Sequence, residues 1–215
     1  MTNRLPDPGI GLPADQNPFR TDRLESLAFR PHDPGRTAAG VVQRFRAAGW
    51  HGAVVGPHGS GKSTLLKRLI ADAAADGHPV AEVFVNRQTP RRVRRAEAAR
   101  VVGALRGHRS DPGTPGVVIA CDGWCHLPPW ERRRLRRAAR AAGAGVLGLA
   151  HLSGWGLPVL YRTRTTPALL ASLVEELQPH PHVAAQAGLR AAWSASRGNI
   201  RDALFRLYDR SAAGA

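Results

Sequence analysis

Gly56-Pro57-His58-Gly59-Ser60-Gly61-Lys62-Ser63 matches every fixed position of G-x-x-x-x-G-K-[ST], and no other stretch restricts the possible folds as strongly. Glycines let the main chain curl until successive N–H groups converge, an arrangement that suits phosphate oxygens. The flanks fit this mechanism. Gly52-Ala53-Val54-Val55 is a short apolar run leading straight into the turn, and Ser63 to Ala75 carries Leu65, Leu66, Leu69 and Ile70 on one helical stripe. A helix beginning at the loop adds the partial positive charge of its N-terminus. The candidate nucleotide-binding residues are therefore Gly56, Pro57, His58, Gly59, Ser60, Gly61, Lys62, Ser63 and Thr64. ATP with Mg²⁺ is the expected cofactor: Lys62 would meet the β- and γ-phosphates as a point charge, and the Ser63 hydroxyl would hold the magnesium.

The surrounding pattern predicts an α/β fold. Residues 1–35 are rich in proline (Pro6, Pro8, Pro13, Pro18, Pro31, Pro34) and read as an extended linker. Arg36 to Ala48 has Val41, Val42, Phe45 and Ala48 at helical spacing and stops at Gly49. Further strands are expected at Val80 to Val85, Val117 to Cys121, Gly145 to Ala150 and Pro158 to Tyr161. Helices are expected over Thr89 to Leu105 and Pro129 to Ala142, with a turn-rich stretch from Gly107 to Gly116. Strands joined by helical crossovers imply a five-stranded parallel sheet covered on both faces. Beyond Thr166 the pattern is helical only, over Pro167 to Leu177, Val183 to Ser196 and Asn199 to Arg210. The expected organisation is a linker (1–35), a three-layer P-loop NTPase core (36–165) and a small helical lid (166–215).

Asp122 follows a run of apolar residues, as does an aspartate that holds magnesium at the carboxyl end of a strand. The residues after it are Gly123, Trp124, Cys125 and His126, so no glutamate stands ready to orient an attacking water. His126, His151 and Glu131 are the candidate substitutes, since a base has only to come within reach of that water. Cys121, Cys125 and His126 supply too few ligands for a closed metal site. Two cysteines in 215 residues are no disulfide framework and fit a reducing compartment. No apolar run is long enough to span a membrane, and the N-terminus has no apolar signal core, so a cytoplasmic protein without a membrane partner is expected.

The formal net charge is +15, and Lys62 and Lys67 are the only lysines among the basic residues. Such a charge favours polyanions, so nucleic acid or an acidic protein is a candidate partner. Arg91, Arg92, Arg94 and Arg95 form one cluster, and Arg132, Arg133, Arg134, Arg136 and Arg137 a second. Consecutive positions on a helix point in different directions, so neither cluster makes a single stripe. Base-stacking aromatic residues are not interleaved with them, which points to phosphate contact without sequence reading.

With the loop, Asp122 and a terminal helical region in place, the chain resembles the AAA+ ATPases. The resemblance implies an ATP hydrolase in which His151, ending the strand Val146 to Ala150, stands where that family places a polar residue that feels the γ-phosphate. Ser196-Arg197-Gly198-Asn199-Ile200-Arg201-Asp202-Ala203-Leu204 is similar to the family's lid motif, with Arg201 at the position of the arginine that reaches back to the nucleotide. Lys62, Asp122, His151 and Arg201 are thus the candidate catalytic residues, and Ser63 and Asp122 the metal-holding ones. Asn17-Pro18-Phe19 resembles the linker that covers the adenine, with Pro18, Phe19 and Leu27 to Phe29 as candidate base contacts. The chain departs from the family in the missing glutamate and in the short link from His151 to Pro158, which leaves no room for the usual helix and its arginine finger; Arg162 and Arg164 come later. Hydrolysis is accordingly expected to be slow. A small-molecule kinase, or a nucleic-acid-binding module with a regulatory nucleotide site, are the alternatives.

Overall fold

Short apolar runs, buried on both of their faces, decide how this chain folds. A computed structural model describes residues 12–31, 37–106, 116–178 and 183–213. Five strands, β1 (His51–Val55), β2 (Val80–Phe84), β3 (Val118–Asp122), β4 (Gly145–Ala150) and β5 (Val159–Arg162), form one sheet in the order β2-β3-β4-β1-β5. Every pairing is parallel, with His51 opposite Val146, Val80 opposite Val118 and Val118 opposite Gly145. A parallel sheet must be covered on both faces, and here successive residues serve opposite faces. Ala53, Val55, Ile119, Cys121 and Val146 enter one buried cluster, with Ala98, Val101, Val102 and Leu105 of α4 (Arg91–Arg106) and Leu135 and Ala139 of α5 (Pro129–Ala141). Val54, Val118, Ala120, Leu147 and Leu149 enter the other, with Val41, Val42 and Phe45 of α2 (Ala38–Ala47) and Leu65, Leu69 and Ala73 of α3 (Lys62–Ala75). Each fully buried Leu, Val or Phe contributes about 1.5–3 kcal/mol relative to an exposed one, so these two clusters dominate the stability of the sheet unit.

The helix ends have local causes. The Thr37 side chain accepts a hydrogen bond from the Gly40 amide (3.0 Å) at the start of α2, and Thr166 does the same for Leu169 (3.1 Å) at α6 (Pro167–Leu177). Both caps satisfy amides that a first turn leaves without partners.

Residues cluster into two compact units. The sheet unit holds the described residues of 29–57 and 61–163; the second holds 12–28, 58–60 and the described residues from 164 onward. In the second unit α6, α7 (Val183–Ala195) and α8 (Ile200–Ala213) bury Leu170, Leu173, Ala192, Ile200, Ala203 and Leu204 against one another. Phe19 joins that core at 3% exposure, with Leu24 and Leu27 packed alongside. The lead-in is therefore not uniformly extended: Thr21–Ser26 forms a short helix, α1, because its apolar Leu24 has a surface to pack on. Asn17 anchors it. Its fully buried side chain donates from Nδ2 to the Tyr208 carbonyl (3.0 Å) and accepts from the Phe19 amide (3.0 Å). Phe19 and Leu27, expected as adenine contacts, belong to this helical core. Residues 1–11 and 32–35 of the expected linker, residue 36 at the start of the expected first helix, and all but Gly116 of the expected 107–116 turn lie outside the described residues. Among those described, no helix is long and apolar enough to cross a membrane.

Candidate functional site

Parallel strands bring their carboxyl ends to one edge, and ligands of open α/β sheets bind at that edge. Gly56 directly follows β1, Asp122 ends β3, His151 follows β4 and Thr163 follows β5. Gly56 is wedged between neighbours. Its amide donates to the Ala150 carbonyl (3.0 Å), the Thr163 amide donates to the Val55 carbonyl (2.8 Å), and a β-carbon on Gly56 would collide with Thr163. Gly59 and Gly61 have φ of +67° and +79°, a left-handed backbone that a side chain disfavours. Gly61 precedes the first residue of α3, so the loop turns directly into the helix N-terminus. The ring of Phe29 approaches Gly61, at 3.4 Å from where a β-carbon would stand. His58, Gly59 and Ser60 cluster with the helical unit, where Gly59 faces the Asn199 side chain so closely that a β-carbon would collide with it.

Lys62 opens α3, and its ammonium donates to the Pro57 carbonyl (2.6 Å), folding back over its own loop. Burial lowers its pKa and Asp122 acts in the opposite sense, so the charge sits in a partly dehydrated place that an anion would relieve. Ser63 donates from Oγ to Asp122 Oδ2 (3.1 Å). Thr64 follows on the first turn of α3, half-buried.

His151 lies beside the loop, with Nδ1 3.4 Å from the Gly56 carbonyl oxygen. Its ring stands edge-on to His126, with centroids 5.8 Å apart. The His151 amide donates to the Cys125 thiol, whose pKa burial nonetheless pushes up. Ligand atoms of Cys125, His126 and His151 all lie within 4.8 Å of one another. This sulfur and nitrogen set suits a thiophilic divalent ion rather than magnesium. Three donors are one short of a closed site, and the Lys62 charge acts on the same thiol. Spacing along the chain groups Cys121 with Cys125 and His126. Cys121 instead faces the core, fully buried, and His151 completes the set. Only the adjacency of β3 and β4, with Cys121 opposite Gly148, brings these residues together.

Glu131 is not arranged as a base. It is 2% exposed, on α5, with Arg134 (3.7 Å) and Arg95 (4.0 Å) as its ion-pair partners. Two arginines of the expected surface clusters point inward. Arg94 donates to the carbonyls of Thr89 (2.7 Å), His126 (2.9 Å) and Arg87 (2.9 Å), tying the turn after β2 to the short 3₁₀ turn Trp124–His126. Arg132, 7% exposed, donates to the Leu127 (2.8 Å) and Cys125 (3.3 Å) carbonyls.

In the helical unit, Arg197 (φ 50°) and Gly198 (φ 79°) turn the chain between α7 and α8. Asn199 caps α8, its Oδ1 accepting from the Asp202 amide (3.3 Å). Arg201 is exposed on the first turn of that helix, its guanidinium 5.7 Å from the centre of the Phe205 ring. No protein-family model and no curated protein matches this sequence.

Proposed function

We propose that the loop from Gly56 to Thr64 binds Mg-ATP and that the chain is a slow ATP hydrolase of AAA+ type. The single observation that carries this reading is the hydrogen bond from Ser63 to Asp122: a hydroxyl and a carboxylate oxygen, 3.1 Å apart, at the mouth of a glycine loop. That pair has the hard oxygen chemistry magnesium takes, usually with several waters and the substrate phosphates. The confined place of Gly56 and the left-handed Gly59 and Gly61 support a main chain shaped for close approach by an anion. When bound, the metal would neutralise charge on the phosphates.

The chain's own residues would then divide the work. Lys62, already partly dehydrated, would trade its hydrogen bond to Pro57 for phosphate oxygens. Asp122 would hold the metal together with Ser63. His151, close to Gly56, is the residue we assign to orienting water, in the absence of a glutamate after Asp122. Arg201, on a capped helix after a left-handed turn, would couple the γ-phosphate to movement of the helical unit by a charge-assisted hydrogen bond.

Titration of a fluorescent ATP analogue into the wild-type chain and Lys62→Ala, with and without Mg²⁺, tests the reading. A fall of at least about tenfold in affinity is expected on removing a charge-assisted hydrogen bond worth about 1.5 kcal/mol or more. Equal affinity of the two proteins would end it. Transfer of the γ-phosphate to a metabolite rather than to water would replace hydrolase by kinase.

A further inference from the structure

The strongest feature the nucleotide site does not use is a groove of about 1240 Å³ on the sheet unit, between α4, α5 and the loop joining β4 to β5. Among the described residues, five arginines line it (Arg132, Arg133, Arg134, Arg136 and Arg137), and no acidic residue does. Glu131, the acidic residue on the first turn of α5, is buried, pairs with Arg134 and Arg95, and does not line the groove. Two tryptophans flank these arginines. Trp130 is 67% exposed on α5 and Trp155 43% exposed on the loop.

A solvated arginine coat requires none of the construction found around Trp155. Its φ is +48°, a strained left-handed backbone for a bulky residue. Its ring lies against the Arg132 guanidinium, 4.6 Å from ring centre to carbon, and that arginine is itself fixed by the Cys125 and Leu127 carbonyls. Gly156 follows with φ +92°, and the Arg136 guanidinium occupies the space a side chain there would need. The loop thus holds a strained backbone to present an aromatic ring beside two positioned guanidinium groups. Along the chain only Trp130 stands next to this arginine cluster; the fold brings Trp155 to it.

We propose that this groove binds single-stranded nucleic acid, with the exposed arginines on phosphates and Trp130 and Trp155 stacking on bases. Exposed aromatic faces among arginines fit unpaired bases, which offer a π-face at every position, whereas a duplex hides its base faces and an acidic peptide carries no aromatic ring beside each charge. Arg132 is a positioning residue, acting through Trp155. The groove is independent of the nucleotide reading, since none of its residues belongs to the phosphate loop.

The test is fluorescence anisotropy of labelled oligo-dT and oligo-U of about 20 nucleotides, long enough for a site of the usual ~4–16 nucleotides, titrated with the full chain without ATP. A matched duplex and poly-glutamate serve as competitors. Trp130→Ala and Trp155→Ala are each expected to weaken binding about tenfold without changing the salt dependence, and Trp155→Phe to restore most of the affinity. Arg133→Ala with Arg137→Ala, both exposed, is expected to flatten the slope of log K against log salt by ~0.7 for each phosphate no longer neutralised. A preference for dT or U tells DNA from RNA, and both support the proposal. It is overturned if the tryptophan variants bind like the wild type, if duplex competes better than single strand, or if poly-glutamate competes equally well. Circular dichroism of each variant checks folding; a Trp130→Ala chain that is folded and fully active in binding also overturns it.

Discussion

The hydroxyl of Ser63 donates to the carboxylate of Asp122 across 3.1 Å, although the two residues stand 59 positions apart. Asp122 ends β3, and Ser63 lies one residue into the helix that follows β1 and its loop. Because β3, β4 and β1 are consecutive and parallel in the sheet, their carboxyl ends share one edge, and the geometry follows from topology. Asp122→Asn keeps the shape and the hydrogen bond while removing the charge. On the proposed reading, this variant loses about tenfold in affinity for an ATP analogue in Mg²⁺, the worth of one charged contact, and nothing in EDTA. Equal titration curves for wild type and variant in Mg²⁺ would show that the pair holds no metal.

Two glycines separate site geometry from helix propensity. A β-carbon on Gly56 would collide with Thr163, whose main-chain amide also bonds Val55, whereas one on Gly103 in α4 would meet nothing within 4 Å. Gly56→Ala is expected to destabilise the chain by roughly 1–3 kcal/mol, as overpacking does. Gly103→Ala is expected to stabilise it by about 1 kcal/mol through helix propensity. Urea unfolding midpoints measure both, and a Gly56→Ala midpoint at or above wild type contradicts the crowding at the loop.

How much of this was legible in the residues depends on the range of the interaction. The strands and helices could be read because apolar runs and helical spacing are local, and Gly56 to Ser63 carries its own turn chemistry. The partners of His151 could not be read: they follow from β3 lying beside β4, and strand order is absent from any local pattern. Arg94 and Arg132 read as surface charge because their neighbours are arginines, yet their positions on α4 and α5 aim them at loop carbonyls. Phe19 read as a base contact, because a proline-rich segment shows no periodicity that would reveal a helical surface waiting for it.

That placement of Phe19 makes a prediction about the helical unit. The ring is 3% exposed among Leu170, Leu173 and Leu204, so Phe19→Ala should cost about 3–5 kcal/mol, the range for a buried phenylalanine truncated to alanine. Hydrogen exchange followed by mass spectrometry is expected to show lower protection in α6 and α8, with β1 and β4 unaffected. A variant that keeps full protection in those helices but binds ATP weakly would instead return Phe19 to the adenine site.

Alkaline pH supplies a test of the sheet core itself. Cys121 lies fully buried on the inner face of β3, and burial drives its thiol well above the usual range, with Asp122 adding to the effect. Burial also pushes up Cys125, against a smaller downward pull from the His151 amide and Lys62. A thiol whose folded pKa exceeds its unfolded one holds its proton longer in the folded state. Its stabilisation is complete below the unfolded value of about 8.5 and is lost as pH rises through the interval up to the folded value. For Cys121 the slope is about 1.4 kcal/mol per pH unit, so roughly 2 kcal/mol is expected to vanish between pH 8.5 and 10. Urea midpoints across pH 7–10 should fall above pH 8.5 in the wild type. Cys121→Ala should start lower, because a cavity opens in the core, but show a shallower fall, and Cys125→Ser should flatten it less. Parallel curves for wild type and Cys121→Ala would mean that this thiol is not the group whose ionisation the folded sheet resists.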